Sequence, residues 1–257
     1  MQNYDKNEAV QQFLSEFRIS QGPLYHYTNR TAGEAIASGH IWITRADCFL
    51  DDDEIQHGFD IIRSAGPSNQ NADFAGMLAA LRERLKACYI MSLTQDAENQ
   101  HLKSQYSSGQ TGCIVEFDES FPRATYSGWH YTPKGDGWRT HPFYKLYDHF
   151  EGFMVYKDSR KEQLADIAYE CFSQAFSTSS HIVDTYQYVD ALLRCLILFK
   201  KEEPDFVAEK EYRLAVVSKH ELGSEFEHTR DGKYGEIVYI KTFILKGRFK
   251  SFSIRNL

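Results

Sequence analysis

Several signatures that would assign a chemistry outright are missing from this sequence. It contains no G-x-G-x-x-G and no G-x-x-x-x-G-K-[ST], which counts against the glycine-rich phosphate cradles of Rossmann and P-loop proteins. No G-x-S-x-G elbow occurs, and no cysteine has a nearby histidine that would suggest a thiol nucleophile. The five cysteines (Cys48, Cys88, Cys113, Cys171, Cys195) are odd in number, far apart and lack C-x-x-C spacing. They read as buried, reduced thiols of a cytosolic protein. A basic excess is also missing. The net charge is -7 and Lys and Arg are not clustered, which argues against generic phosphate-backbone binding. A nucleic-acid end, or a single base held in a pocket, stays open. No apolar run is long enough to span a membrane. Met1 to Glu8 is polar and no apolar run follows it, which predicts no signal peptide and a cytoplasmic location. Repeats and low-complexity segments are absent.

What is present is a chain of 257 residues with 42% hydrophobic content. That suits a single domain over 1–257 with a full core. Its divisions are an N-terminal helix in 1–21 and a core over 22–247 with a helical insertion at about 159–201. Val10, Phe13, Leu14 and Phe17 recur at helical spacing in the first segment. Pro23 to Thr28 reads as a strand, Thr31 to Ser38 as a compact helix of small residues, and Gly39 as its left-handed cap. His40 to Thr44 is a second strand. Helices are predicted over Ile55–Arg63 and Ala72–Ala87, and the second carries an apolar stripe from Phe74 to Leu85. Cys88 to Thr94 reads as a central strand buried on both faces, and Gly112 to Phe117 as another. The aromatic-rich stretch from Phe121 to Tyr147 reads first as a long loop pinned by its own rings, with a base-stacking surface as the alternative. A short strand at Phe153–Tyr156, helices at Arg160–Phe176 and His181–Phe199, a strand at Glu209–Val217, a charged hairpin tip at Gly223–Lys233 and a last strand at Gly235–Lys246 complete the order. Strands that follow one another without a crossover helix predict an α+β fold with a mixed, mostly antiparallel sheet.

Polar groups stand out at four places. His26 lies on the first strand and Tyr106 precedes the Gly112 strand. Alternation on one strand puts Glu209, Glu211 and Arg213 on a common face. This could be a site, or the Glu–Arg pairing of a solvent-facing edge. Asp51, Asp52, Asp53 and Glu54 form an acidic run that suits a solvated loop. Three consecutive aspartates cannot all face one ion, so no metal is predicted.

The opening Leu24-Tyr25-His26-Tyr27-Thr28, the small helix ending Ser38-Gly39, and Ile41-Trp42-Ile43-Thr44 resemble the start of the bacterial family called domain of unknown function 2971. Phe49 to Glu54, Ile90-Met91-Ser92, Leu102 to Tyr106, Gly112 to Asp118, and Lys200 followed by Glu209-Lys210-Glu211-Tyr212-Arg213 resemble its later blocks in order. Lys103 departs from that family's tryptophan. The layout is also similar to the His-Tyr-Glu arrangement of ADP-ribosyltransferases, and His26 and Thr28 match the His-x-Thr opening of their DNA-modifying toxin and RNA 2′-phosphotransferase branches.

That second resemblance implies a split β core gripping NAD, and transfer of ADP-ribose to a nucleic-acid or protein acceptor in a bacterial toxin or phage-defence setting. It implies Glu211 or Glu209 as the carboxylate that stabilises positive charge at the ribose carbon. His26 would donate to a ribose hydroxyl and Tyr106 would stack on nicotinamide. Cofactor contacts would come from His26, Tyr27, Thr28 and Tyr106. Arg45 or Arg213 would bind the pyrophosphate, with Arg213 alternatively holding the glutamates in place. The competing readings are NAD hydrolysis, a catalytically inactive nucleotide-sensing or interaction module, and a metal-dependent nuclease at Asp51–Glu54.

Overall fold

In the computed structural model, the described residues are 13, 15–17, 20–48, 55–65, 72–106, 112–118, 121, 129–134, 137–177, 182–219, 226–232, 235–243 and 252–256. The acidic run 51–54 and most of the N-terminal helix lie outside them, while the charged tip read at 223–233 is described over 226–232, where 228–232 form a strand.

The opening folds as its sequence predicts. Strand β1 (Leu24–Asn29) leads directly into helix α1 (Arg30–Ala37). Asn29 caps the helix by accepting from the Ala32 N–H at 2.9 Å, which satisfies one of its orphan donors. Gly39 ends the unit at φ 94°, a left-handed conformation that glycine adopts without a Cβ penalty. Strand β2 (His40–Arg45) then returns.

Helices α2 (Gln56–Ser64) and α3 (Ala72–Leu85) precede the central strand β3 (Cys88–Thr94). Helix α4 (Gln100–Tyr106) leads to β4 (Gly112–Phe117). The aromatic segment is structured rather than a loop. It forms β5 (Trp129–Lys134), β6 (Gly137–Pro142), the short helix α5 (Phe143–Leu146) and the start of β7 (Tyr147–Phe153). Its prolines hid the strands. Pro133 stands opposite Trp138 and Pro142 opposite Trp129 in an antiparallel hairpin, where β6 ends the sheet and a missing N–H costs little. Of the strand predicted at 153–156 only Phe153 belongs to β7, and Val155 makes an isolated parallel bridge to Phe199.

Helices α6 (Asp158–Ser177), α7 (Ile182–Leu198) and α8 (Pro204–Glu209) follow. Strands β8 (Glu211–Ser218), β9 (His228–Gly232), β10 (Gly235–Phe243) and β11 (Phe252–Asn256) complete the chain. The last of these lies beyond the 22–247 core read from sequence, yet it pairs with β4 from Phe252↔Phe117 to Asn256↔Cys113.

All pairings between the named strands are antiparallel. The main path runs β11-β4-β1-β3-β2-β10-β5-β6, with β8 and β7 added on the other edge of β3 and β9 on β10. Apolar side chains fill both faces. One face packs Ile90, Ala215 and Val217 against α2, α3, α6 and α7, while the other gathers Leu24, Ile43, Met91, Leu214 and Ile240. The fold is therefore α+β around an antiparallel sheet.

Candidate functional site

The sheet divides at β3. One edge of β3 pairs with β8 along its whole length, from Cys88↔Val217 to Thr94↔Glu211. The other edge is shared. It pairs with β2 at Ile90 and Tyr89, and with β1 only at Thr94, opposite Tyr25. Between these contacts β1 and β2 part, and Ser92 sits in the fork.

His26 reaches into this gap, with Nδ1 2.8 Å from the Ser92 carbonyl oxygen. A carbonyl only accepts, so Nδ1 carries the proton. Burial lowers the His26 pKa, and the bond to Ser92 opposes this only in part. The ring is neutral near pH 7 and its Nε2 presents a lone pair. Nε2 is thus the acceptor nitrogen of the ring, whereas the resemblance implies a donor at His26.

Ser92 links His26 to the acidic pair. Its hydroxyl donates to Glu211 Oε1 at 2.7 Å. Arg213 Nε donates to the same oxygen at 2.9 Å. Glu211 Oε2 accepts from Lys200 Nζ at 2.8 Å and Arg213 Nη2 at 3.1 Å. Four donors occupy the roughly four acceptor positions of a carboxylate. Burial by itself would raise the Glu211 pKa, but the charges of Arg213 and Lys200 and their hydrogen bonds outweigh it and hold the group well below the usual carboxylate range. Glu211, Arg213 and Lys200 are 3%, 1% and 7% exposed.

Glu209 joins the cluster by a route that alternation does not predict. It is the last residue of α8, not part of β8. Lys210 turns the chain in the left-handed conformation at φ 50°. The Glu209 carboxylate then meets Lys200 Nζ at 2.7 Å, so one lysine bridges both glutamates. The Glu209 side chain is 20% exposed and that of Glu211 3%, which makes Glu209 the carboxylate nearer to solvent. Asn99 fixes this turn: its amide donates to the Ala208 carbonyl at 2.8 Å, and its Oδ1 accepts from the Leu102 N–H at 3.0 Å. One buried side chain therefore ties the end of α8 to the start of α4.

Helix α4 delivers Tyr106. The residue is 40% exposed, and its ring lies 6.4 Å, centroid to centroid, from the Tyr27 ring. Burial, then the negative charges of Glu209 and Glu211, raise its pKa, which places it on the carboxylate side of the fork.

The other predicted residues are committed elsewhere. Tyr27 donates its hydroxyl to the Asp96 and Ala97 carbonyls at 3.1 and 2.8 Å. Thr28 is buried beneath α1. Arg45 stands opposite Tyr89, on the sheet face away from Ser92, and binds Asp47 at 2.8 Å and Glu227 at 3.3 Å. The structure does not bring it to the cluster. Arg213 also donates to the Ile197 carbonyl at 2.8 Å. Its guanidinium holds Glu211, the second of the two roles that the sequence leaves open. No group of three metal-ligating side chains occurs among the described residues.

Sequence reasoning assigned no role to Ser92, Asn99 or Tyr156, whose hydroxyl accepts from the Glu211 N–H at 2.9 Å. Ser92 left a usable signal, a lone serine in an otherwise apolar central strand, which demands a buried partner. Asn99 and Tyr156 left none. The chain matches no protein-family model, no curated protein and no solved structure.

Proposed function

We propose that the fork is an NAD site and that the protein is an ADP-ribosyltransferase-like enzyme with a nucleic-acid or protein acceptor. One observation carries this reading. His26, Tyr106 and the Glu209–Glu211 pair, read separately from distant stretches, converge around Ser92. Cleaving the nicotinamide–ribose bond leaves the electron pair on nicotinamide and positive charge at the ribose carbon. Glu209 is the carboxylate placed to face that charge. Glu211 is a positioning residue, because its acceptor sites are filled. His26 Nε2 accepts from a ribose hydroxyl, and the exposed Tyr106 ring offers a stacking surface. Lys200 orients Glu209 through their 2.7 Å ion pair.

Calorimetry of the protein with NAD, with free nicotinamide followed in the same sample, tests this. Binding with nicotinamide release is the expected result. Glu209→Gln should then slow release by on the order of 10²–10³ and leave NAD affinity within a few-fold. Absence of NAD binding overturns the reading. The saturation of Glu211 favours one second reading, a nucleotide-binding module without turnover, for which NAD binds and nicotinamide is not released.

A further inference from the structure

A buried lysine stands behind the candidate site. Lys161, near the start of α6, is 0% exposed. Its ammonium has three donors, and it meets His57 Nε2 at 2.6 Å, the Lys200 carbonyl at 2.8 Å and Asp158 Oδ1 at 2.7 Å. An ammonium only donates, so His57 Nε2 is the accepting nitrogen and the ring proton sits on Nδ1.

The second of these acceptors belongs to the residue that organises the site. Lys200 follows α7 and sends its own ammonium to Glu209 and Glu211. The start of α6 and the residues before it strap this segment down. Val155 donates its N–H to the Leu198 carbonyl at 2.8 Å and accepts from the Lys200 N–H at 3.2 Å. The Glu202 carboxylate accepts from the Asp158 N–H at 2.8 Å. Lys161 grips the Lys200 carbonyl itself. A path of polar contacts thus runs from half-buried His57 on α2 through Lys161 and Lys200 to Glu209.

His57 is the member of this path whose charge changes nearest to neutral pH. Burial, then the Lys161 charge, lower its pKa; Lys201 adds to this, while Asp158 on α6 and Asp60 on its own helix oppose it. From α3, Arg82 lies over the ring of Phe59, two residues along α2. The His57 ring is therefore neutral at pH 7 and takes its second proton only in acid.

We propose that His57 is a pH-sensitive positioning residue for the Glu209–Glu211 site: neutral, it holds Lys161 against the Lys200 carbonyl, and protonated, it releases Lys161 and loosens the ammonium that orients Glu209. The use of this device rests on the transferase reading, but the coupling of His57 to Glu209 does not require NAD. Protonation turns the accepting nitrogen into a donor 2.6 Å from an ammonium. Neither group can then accept from the other, and their like charges repel. The half-buried ring turns to water. Lys161 is drawn toward Asp158, whose side chain is 60% exposed, and away from the Lys200 carbonyl.

Nuclear magnetic resonance of the protein without NAD, from about pH 8 to about pH 5, tests the coupling. Ring nitrogen signals follow His57 and side-chain carboxyl carbon signals follow Glu209. The Glu209 signal should move at the His57 midpoint. His57→Gln should abolish that movement, because a glutamine oxygen accepts from Lys161 at every pH. The same variant separates His57 from His26, which also borders the site. Lys161→Met should raise the His57 midpoint and uncouple Glu209 from it. Should Lys161→Met fail to fold, His57→Gln still decides, because it removes no buried charge. A Glu209 signal that ignores the His57 midpoint, or that still moves there in His57→Gln, overturns the proposal. Nicotinamide release from NAD at the two ends of the range gives the second readout. The parent should lose on the order of 10–10² in rate toward acid, and His57→Gln should lose less. Equal losses overturn the proposal and leave the transferase reading standing. If NAD does not bind, the transferase reading falls and the carboxyl signal alone decides the coupling.

Discussion

Ser92 donates its hydroxyl to Glu211 at 2.7 Å across 119 positions of sequence. The same residue receives His26 on its carbonyl at 2.8 Å. A side chain and a main-chain group of one residue thus hold the two halves of the site. Ser92→Ala removes only the first bond. It should cost about 1.5–3 kcal/mol, the range for a hydrogen bond to a charged group, and leave His26 in place. Urea unfolding measures the loss. An unchanged midpoint would show that the hydroxyl does not hold Glu211.

Glu211 separates Lys200 from Arg213. Glu211→Ala removes the buried carboxylate that pairs with both Lys200 and Arg213. About 3–5 kcal/mol of stability should be lost. Calorimetric unfolding reads this directly, and a loss below about 1 kcal/mol would mean that water reaches the cations.

Acid should destabilise the fold in two windows. His149 is pushed down to about 4 by burial and by the Arg194 charge. Its folded pKa lies below its unfolded value near 6.5, so the unfolded chain binds more protons between them and stability rises with pH. His149 alone should therefore remove about 3 kcal/mol as pH falls from about 7 to about 4. A second window opens lower. The Glu211 carboxyl is depressed, so its contribution is complete above the ordinary carboxylate range and lost as pH drops below it. Urea midpoints against pH test both, and His149→Leu should flatten the upper window. A slope that this substitution leaves unchanged would place the titration elsewhere.

Two glycines should respond in opposite directions to alanine. A Cβ on Gly58 would stand 2.7 Å from the Leu196 carbonyl oxygen and 2.8 Å from its Cα. Backbone cannot swing aside, so α2 would be forced off α7 at a cost of about 1–3 kcal/mol. Because α7 runs on toward Lys200, NAD affinity should fall as well. A Cβ on Gly76 meets nothing within 4 Å, and Gly76→Ala should stabilise α3 by about 0.5–1 kcal/mol. Thermal unfolding of the two variants side by side decides the point. Equal shifts would contradict the packing of α2 on α7.

The local elements were legible in the sequence because their causes are local. The β1–α1–β2 opening follows from a short strand, a run of small helix-forming residues and Gly39 as a left-handed cap. The central position of β3 follows from an apolar run too long for a strand with one wet face. His26, Tyr106, Glu209 and Glu211 were found as polar groups at places where their chemistry could matter. What joins them was decided by tertiary structure alone. The fork exists because β3 shares one edge between β1 and β2, and pairing between segments more than 40 residues apart leaves no periodic trace. Glu209 reaches Glu211 through a left-handed Lys210 and a shared Lys200, not through strand alternation. The β5–β6 hairpin was hidden because proline and aromatic residues break the two-residue period while antiparallel pairing tolerates them at a sheet edge. Sequence placed the chemical groups on their elements; long-range strand register set their distances, and with them which carboxylate is saturated and which faces solvent.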